Sequence, residues 1–291
     1  MKNTLLGSVY LALAASIWGG MYVVVKIVVA VIPPLELVWM RYVVAILALL
    51  MIGLTTRQNW RIHKHHFLII IAIGVIGNTI SIVAQETGTM LSSAQLGAII
   101  TSSTPAFMVI FALLLLKERF TLKKGLSIGL ATIGVLLIVG VGQVNLSNKL
   151  GGIWLLIAAL TWALMSVLVK RVPNSYSQTV VTTYSIFVSL IVLTPFVLPR
   201  LQAINFSQLT NPSIWGGVLY LGVISTAGGF LLWNRGLQML NASNGGLFFF
   251  FQPVVGTFLG WLILGESIGV TFWIGSFFIL IGVLLVIKEK K

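Results

Sequence analysis

Residues 88–119 read GTMLSSAQLGAIITSSTPAFMVIFALLLLKER, and residues 236–267 read GLQMLNASNGGLFFFFQPVVGTFLGWLILGES. Laid over one another at a shift of 148 positions, they hold Gly88 on Gly236, Ala94 on Ala242, Gly97 on Gly245, Pro105 on Pro253 and Glu118 on Glu266. Outward from there, the same shift carries Gly74 to Gly222 and Gly134 to Gly282. A shift of 144 carries Gly7, Ala14, Ala15, Trp18, Met21 and Lys26 to Gly151, Ala158, Ala159, Trp162, Met165 and Lys170. Chance supplies Ala and Gly matches in apolar sequence. It does not readily supply Trp, Lys, Pro and Glu at held spacing, so the chain is one unit used twice.

The unit belongs in a membrane. Of 291 residues, 58% are hydrophobic, 8% are charged and none is Asp, whereas a soluble domain carries charge on about a quarter of its positions. A bilayer-crossing helix needs about 20 mostly apolar residues. Ten stretches meet that demand, near 4–30, 35–54, 67–87, 93–116, 123–141, 150–170, 178–198, 213–234, 243–264 and 269–287. The expected fold is therefore all-α: a polytopic membrane protein of ten transmembrane helices, with a first repeat over 1–141 and a second over 150–287. Gly142, Gln143, Asn145, Ser147 and Asn148 interrupt the apolar run at the junction. Five spans per unit is odd, so the two units insert in opposite orientations. Inverted repeats of this kind place two gates around a central site in many secondary carriers.

The net charge of +13 follows the same topology. With the N-terminus inside, fourteen Lys and Arg fall on the inner side and only Lys149 and Arg200 on the outer. This positive-inside bias predicts cytoplasmic termini and a multi-pass protein of the cell (inner or plasma) membrane. Basicity is a topology signal here, not a nucleic-acid surface. The first span is long and lacks a small-x-small cleavage pattern, so it reads as an uncleaved anchor. His63, His65 and His66 share a short basic loop and read as interfacial residues, not metal ligands. The absence of cysteine removes disulfides, thiolate chemistry and Cys-ligated metals. There is no Asp pair, no HExxH and no P-loop, so neither an enzyme nor an ATP-driven pump is expected, and no cofactor.

The two stretches quoted above, together with ASIWGGMYVVVK at 15–26, resemble the EamA branch of the drug/metabolite transporter superfamily. The resemblance spans both repeats. It implies a ten-helix carrier whose central cavity is lined by spans one, three, four, six, eight and nine, and which exports metabolites such as amino acids. Glu86 departs from the pattern, falling where the second repeat has Asn234, so the resemblance assigns it no role.

Individual residues point to a cavity. Trp18, Tyr22 and Lys26 in span one, and Trp162, Ser166 and Lys170 in span six, recur at steps of four along one slowly rotating face. The two Trp fall near span centres, where the indole N–H needs a partner; they line a cavity or pack between helices. Lys26 and Lys170 are expected to snorkel to opposite surfaces, as gate residues or plain anchors. Pro105 and Pro253, read as mid-helix, free the carbonyls of Thr101 and Phe249, giving flexible points beside a site or static kinks. Thr101, Ser102, Ser103 and Thr104 form a polar wall opposite Phe248–Phe251 and Gln252. Asn78 and Gln85 share a face of span three, and Gln85 and Glu86 fall on Trp233 and Asn234 of the second repeat.

Glu86 has three readings. Burial favours a neutral carboxyl, so it can take up and release a proton; it can hold a substrate ammonium; or it is a solvated carboxylate at the outer mouth. Arg41 is off the face of Glu36 and is expected to bond backbone carbonyls or another span. Glu118 and Glu266 cap short turns or form a gating pair. The function expected is a secondary transporter of small organic solutes, exporting amino acids or related metabolites by alternating access. Its rivals are a multidrug or lipophilic-cation efflux carrier and, in a different class, a pore-forming channel.

Overall fold

The structure, a computed structural model, describes residues 2–92, 94–139, 146–203, 211–264 and 269–287, and these contain helices and no strand. Ten helical units follow one another: α1 (Lys2–Val28), α2 (Pro34–Thr55), α3 (Lys64–Leu91), α4 (Ala94–Thr101 and Thr104–Leu116), α5 (Leu122–Val139), α6 (Leu146–Val169), α7 (Gln178–Val197), α8 (Pro212–Met239), α9 (Ala242–Gly246, a 3-10 turn Leu247–Phe250, and Phe251–Leu264) and α10 (Val270–Ile287). Among the described residues, six helices are long and apolar enough to cross a bilayer, and these are α1, α2, α3, α6, α7 and α8. The junction between the repeats, and Glu266, lie largely outside the described residues.

Spans four and nine, read from sequence as continuous helices with a central proline, are broken. Pro105 and Pro253 lie in the first turn of the segments Thr104–Leu116 and Phe251–Leu264. A missing N–H costs nothing in a first turn, so each break falls just upstream of the proline. Thr101, Ser102 and Ser103 donate their hydroxyls to the carbonyls of Gly97, Ala98 and Ile100 at 2.7, 2.7 and 2.6 Å. Those hydroxyls satisfy the end of the first half-helix.

A second paired irregularity was not legible in the sequence. Helix α3 widens to π geometry over Ile73–Ser81, and α8 over Tyr220–Gly228. Thr79 Oγ1 donates to the Gly74 carbonyl at 3.0 Å, and Thr226 Oγ1 to the Leu221 carbonyl at 2.7 Å. Single π turns of this kind concentrate at functional sites.

Packing repeats with the sequence. Helix α1 lies along α8 and α9, and α6 along α3 and α4; α2 meets α7, and α5 meets α10. Gly7 near the start of α1 touches Gly236 near the end of α8, while Gly151 near the start of α6 touches Gly88 near the end of α3. Helices α1 and α8 are therefore antiparallel, and the two contacts lie on opposite faces of the bundle. We call the face where α1 begins the N-terminal face and the other the distal face. The two five-helix units run in contrary directions. Exposed Trp215 and Trp273 lie at the starts of α8 and α10, and exposed Trp154 in the third turn of α6, all toward the distal face, as an interfacial aromatic belt does. On the N-terminal face His66 Nδ1 lies 2.9 Å from the Tyr176 hydroxyl, and Tyr184 donates to the Trp60 carbonyl at 3.0 Å, tying the α2–α3 loop to α7.

Small residues set these crossings, because helices in lipid associate by close packing and not by exclusion from water. A Cβ on Gly88 would lie 2.6 Å from Leu155 Cγ and 2.8 Å from the Gly151 carbonyl; on Gly236, 2.5 Å from Leu11 Cγ and 3.0 Å from the Gly7 carbonyl. Gly88→Ala and Gly236→Ala should each destabilise by about 1–3 kcal/mol. Gly129→Ala, with nothing within 4 Å of the new Cβ, should be neutral or slightly stabilising. Thermal unfolding of the purified chain in detergent compares the three.

Candidate functional site

The two units meet around a small cavity. Its wall includes Trp18, Met21 and Tyr22 from α1, Arg41 from α2, Ile82 and Gln85 from α3, Thr101 and Thr104 from α4, Ala158, Ala159 and Trp162 from α6, Phe230 from α8, and Phe249 and Gln252 from α9. It holds about 20 Å³ of space for the centre of a water-sized sphere, enough for a water or two. Drug-sized ligands occupy pockets of roughly 300–1,000 Å³, so the cavity as seen is too small for one.

Five aromatic residues, Trp18, Tyr22, Trp162, Phe230 and Phe249, stand in that wall. Trp18 and Trp162, repeat mates, meet edge-on with centroids 5.2 Å apart. Trp18 also approaches Phe249 at 5.7 Å and Phe230 at 6.0 Å, and Trp162 lies 5.1 Å from Phe230. Trp233 forms a second layer behind, 5.3 Å from Trp18 and 4.7 Å from Phe249, its Nε1 donating to Ser166 Oγ at 3.1 Å. Of the four consecutive phenylalanines only Phe249 reaches the cavity. Phe248 stacks on Phe251, and Phe250 packs with Leu247, Ala131 and Ile279.

The polar members divide into satisfied and unsatisfied atoms. Trp18 Nε1 donates to the Ser225 carbonyl at 2.9 Å, inside the π segment of α8, and Tyr22 shares a 2.7 Å hydrogen bond with Thr101 Oγ1. Trp162 Nε1, Thr104 Oγ1 and Gln252 Oε1 are buried without a hydrogen-bond partner. A buried polar atom left alone is costly, and three of them on one small cavity mark where a ligand's own polar groups can bond.

Behind the wall lies the charged centre of the molecule. Arg41 and Glu86 are both fully buried, with Nη1 to Oε1 at 2.6 Å. Arg41 Nε donates to Thr226 Oγ1 at 2.9 Å and Nη2 to Ser225 Oγ at 3.3 Å, with Met21 Sδ at 3.7 Å. One guanidinium thus joins α2, α3 and the π segment of α8. Two sequence expectations change here. Glu86 is not a solvated carboxylate at a mouth, because α3 continues to Leu91 and packing closes over it; and Arg41 is a wall residue of the cavity as well as a tie between spans. The repeat mates are neutral. Asn234, opposite Glu86, donates to Thr182 Oγ1 at 3.0 Å, and Asn78, opposite Thr226, donates to Ser185 Oγ at 2.9 Å while its carbonyl accepts from Tyr42 at 2.5 Å.

The structure therefore brings Trp18, Tyr22, Gln85, Thr101, Trp162, Phe249 and Gln252 together at the cavity. It places Asn78, Glu86, Ser102, Pro105, Ser166, Trp233, Asn234 and Pro253 off the wall. Sequence reading missed Met21, Ile82, Thr104 as an orphan hydroxyl, Ala158, Ala159 and Phe230. The matched pairs Met21/Met165, Ala14/Ala158 and Ala15/Ala159 were a signal: a face held in both repeats continues beyond its Trp.

The two matched lysines reach opposite faces, and there each bonds backbone carbonyls. Lys26 Nζ donates to the carbonyls of Thr89, Met90 and Ser92 at 3.1, 3.1 and 2.7 Å, pinning the α3–α4 corner on the distal face. Lys170 Nζ donates to the carbonyls of Leu237 and Leu240 at 2.8 and 2.7 Å, pinning the α8–α9 corner on the N-terminal face. Glu118 closes that second corner from the other side. It accepts from the backbone N–H of Ala242 at 2.8 Å and of Ser243 at 3.2 Å, and from the Ser243 hydroxyl.

Known proteins agree with this architecture. The profile of the EamA-like transporter family matches twice, over residues 5–140 and 149–288. An uncharacterized transporter of Archaeoglobus fulgidus is 24% identical over 97% of this chain and 99% of its own. The uncharacterized transporter YoaV of Bacillus subtilis is 23% identical over 98% and 97%, and the permease-like protein YdzE of the same organism is 77% identical over 25% of this chain and 94% of its own. A solved crystal structure superposes with a TM-score of 0.76 over 98% of both chains at 16% identity, a likeness of fold alone.

The ion pair yields a test. Removing one partner of a buried pair strands the other charge and costs about 3–5 kcal/mol, whereas replacing both is far milder. Arg41→Gln and Glu86→Gln should each lower stability by that order, and the double variant should recover most of the loss, read from thermal unfolding in detergent.

Proposed function

This chain belongs to the EamA-like transporter family, and we propose that it is a secondary carrier that exports a small organic solute, an amino acid or related metabolite, by alternating access. It is a multi-pass membrane transporter; direction, substrate class and mechanism are the proposal. The observation that carries it is a central cavity walled by both contrary units, with one pinned corner at each end: Lys26 on the distal face and Lys170 on the N-terminal face. A site reached alternately from two sides needs two closures related by the repeat, and inverted repeats supply them. A continuous pore needs neither. The excess of Lys and Arg on the N-terminal face supports cytoplasmic termini in a cell membrane.

Each pinned corner is a backbone end held by an ammonium at the edge of the bilayer, where water can take over the same hydrogen bonds. Opening the distal face requires the α3–α4 corner to leave Lys26, and opening the N-terminal face requires the α8–α9 corner to leave Lys170. Cysteine-free sequence makes the test direct. With Thr104→Cys as the lone thiol, Lys26→Met should raise labelling by a membrane-impermeant reagent added from the distal side, and Lys170→Met from the N-terminal side. Equal labelling patterns in both variants would remove the alternating-access reading.

Flux separates a carrier from a pore. In proteoliposomes, solute uptake should saturate and show counterflow. Flux that rises without limit and conducts current would mark a channel instead.

A further inference from the structure

The carrier reading leaves open how the site discriminates among solutes, and the answer below rests on that reading. Among the described residues that line the cavity, one is charged, Arg41. Its counter-ion Glu86 does not reach the wall, so an incoming ligand meets the positive member of a neutral pair. A guanidinium has five N–H donors. Four contacts hold Arg41, one of them the long approach to Met21 Sδ at 3.7 Å. One N–H and that weak contact remain for an anionic group from the cavity side.

The remaining orphan atoms supply the complement. Gln252 Oε1, 2% exposed as a residue, accepts only, and Trp162 Nε1 donates only; Thr104 Oγ1 can do either. The faces of Trp18, Trp162, Phe230 and Phe249 suit an apolar body and attract an ammonium. Electrostatics in this buried setting chooses among ligands. A zwitterion adds no net charge to the Arg41–Glu86 pair. A lipophilic cation adds a positive charge beside the one charged residue of the described wall, Arg41, and a plain anion leaves the site net negative with Gln252 Oε1 still unpaired. Like-charge contacts in desolvated sites are strongly excluding.

We infer that Arg41 reads the charge of the ligand: its guanidinium, with Trp162 Nε1, takes the anionic group of a net-neutral zwitterion whose ammonium lies on Gln252 Oε1 and the aromatic faces, and Glu86 sets that preference by holding the wall's charge in balance. Glu86 is thus a specificity-setting residue that does not itself touch the ligand. The aromatic wall alone suits the lipophilic-cation reading; Arg41 opposes it.

The test uses three solutes sharing one branched skeleton: leucine, its decarboxylated amine 3-methylbutylamine, and its deaminated acid 4-methylpentanoate. Binding to the purified full chain is read as quenching of tryptophan fluorescence, since Trp18 and Trp162 border the cavity. Wild type should bind leucine tightest. Glu86→Gln leaves the wall positive and should shift preference toward 4-methylpentanoate relative to leucine by roughly tenfold or more, and Arg41→Gln should shift it toward 3-methylbutylamine by a similar factor. If the single variants do not yield folded protein, the double Arg41→Gln, Glu86→Gln variant should fold and discriminate among the three poorly. A wild type that prefers the amine, one that responds to none of the three, or folded variants that keep the wild-type ranking would each overturn the inference. A pair with only a structural role weakens all three solutes alike. Failure of the carrier reading shows differently, as flux of any solute that does not saturate.

Discussion

Backbone N–H and C=O groups have no water to fall back on inside a bilayer, so a chain that breaks a helix there must bring partners to the broken ends. This protein breaks or distorts helices at four places related in pairs: α4 and α9 before their prolines, α3 and α8 at their π turns. Much of the polar chemistry in the bundle answers that constraint. Thr101, Ser102 and Ser103 bond the carbonyls of the first half of α4. Thr79 and Thr226 bond those of the π turns, and Lys26, Lys170 and Glu118 serve the free ends at the corners. Subtracting those groups leaves, around the cavity, Arg41, Glu86, Gln85, Gln252, Thr104 and the Trp162 N–H. The candidate site is found by that subtraction, because a polar group in apolar surroundings that does not serve the backbone needs another reason to be there.

How much could be read in advance follows from the physics of each signal. Ten spans, two units and their contrary direction follow from composition, the held spacing of Gly88/Gly236 and Lys26/Lys170, and the oddness of five. Trp18 and Trp162 attracted attention because an indole at mid-span is out of its usual interfacial place. The helix breaks were misplaced by a few residues because a proline marks the missing N–H, whereas the ladder fails upstream of it. The π turns have no local signature beyond glycines and hydroxyls common throughout the chain. Arg41 and Glu86 were read separately, since α2 and α3 set no fixed register until packed; their meeting is a tertiary fact. The lysines were read as snorkelling because length permits it, and the carbonyls they reach belong to corners whose position only the fold decides.

The repeat is obeyed where it concerns backbone and broken where it concerns charge. Gly88 and Gly236, and Lys26 and Lys170, perform the same service in each half, and Thr79 and Thr226, one position out of register, each bond a π-turn carbonyl. Arg41 and Glu86 do not: the equivalent contact in the second half is made by Asn234, Thr182 and Ser185 without charge. Fold requirements act equally on both units because each must cross the same bilayer. A ligand is not two-fold symmetric, so a site at the pseudo-axis has no reason to be. The departure from symmetry therefore marks groups that the scaffold does not require, and one of them, Arg41, lies on the wall of the cavity.

Depth within the bilayer decides which of these polar ties can move. A hydrogen bond to a charged group contributes about 1.5–3 kcal/mol, but an ammonium near the membrane edge exchanges its partners for water with little net loss. Lys26 and Lys170 are only part-buried at their carbonyl contacts, so the corners they hold can part without stranding a charge. The Arg41–Glu86 pair is fully buried, and separating it in place would expose two charges to an apolar interior. Ties of the first kind suit gates and a tie of the second kind suits a pivot. Arg41 also bonds Ser225 and Thr226 of the opposite unit, so under the proposed alternating access the pivot would lie at α2, α3 and the π segment of α8.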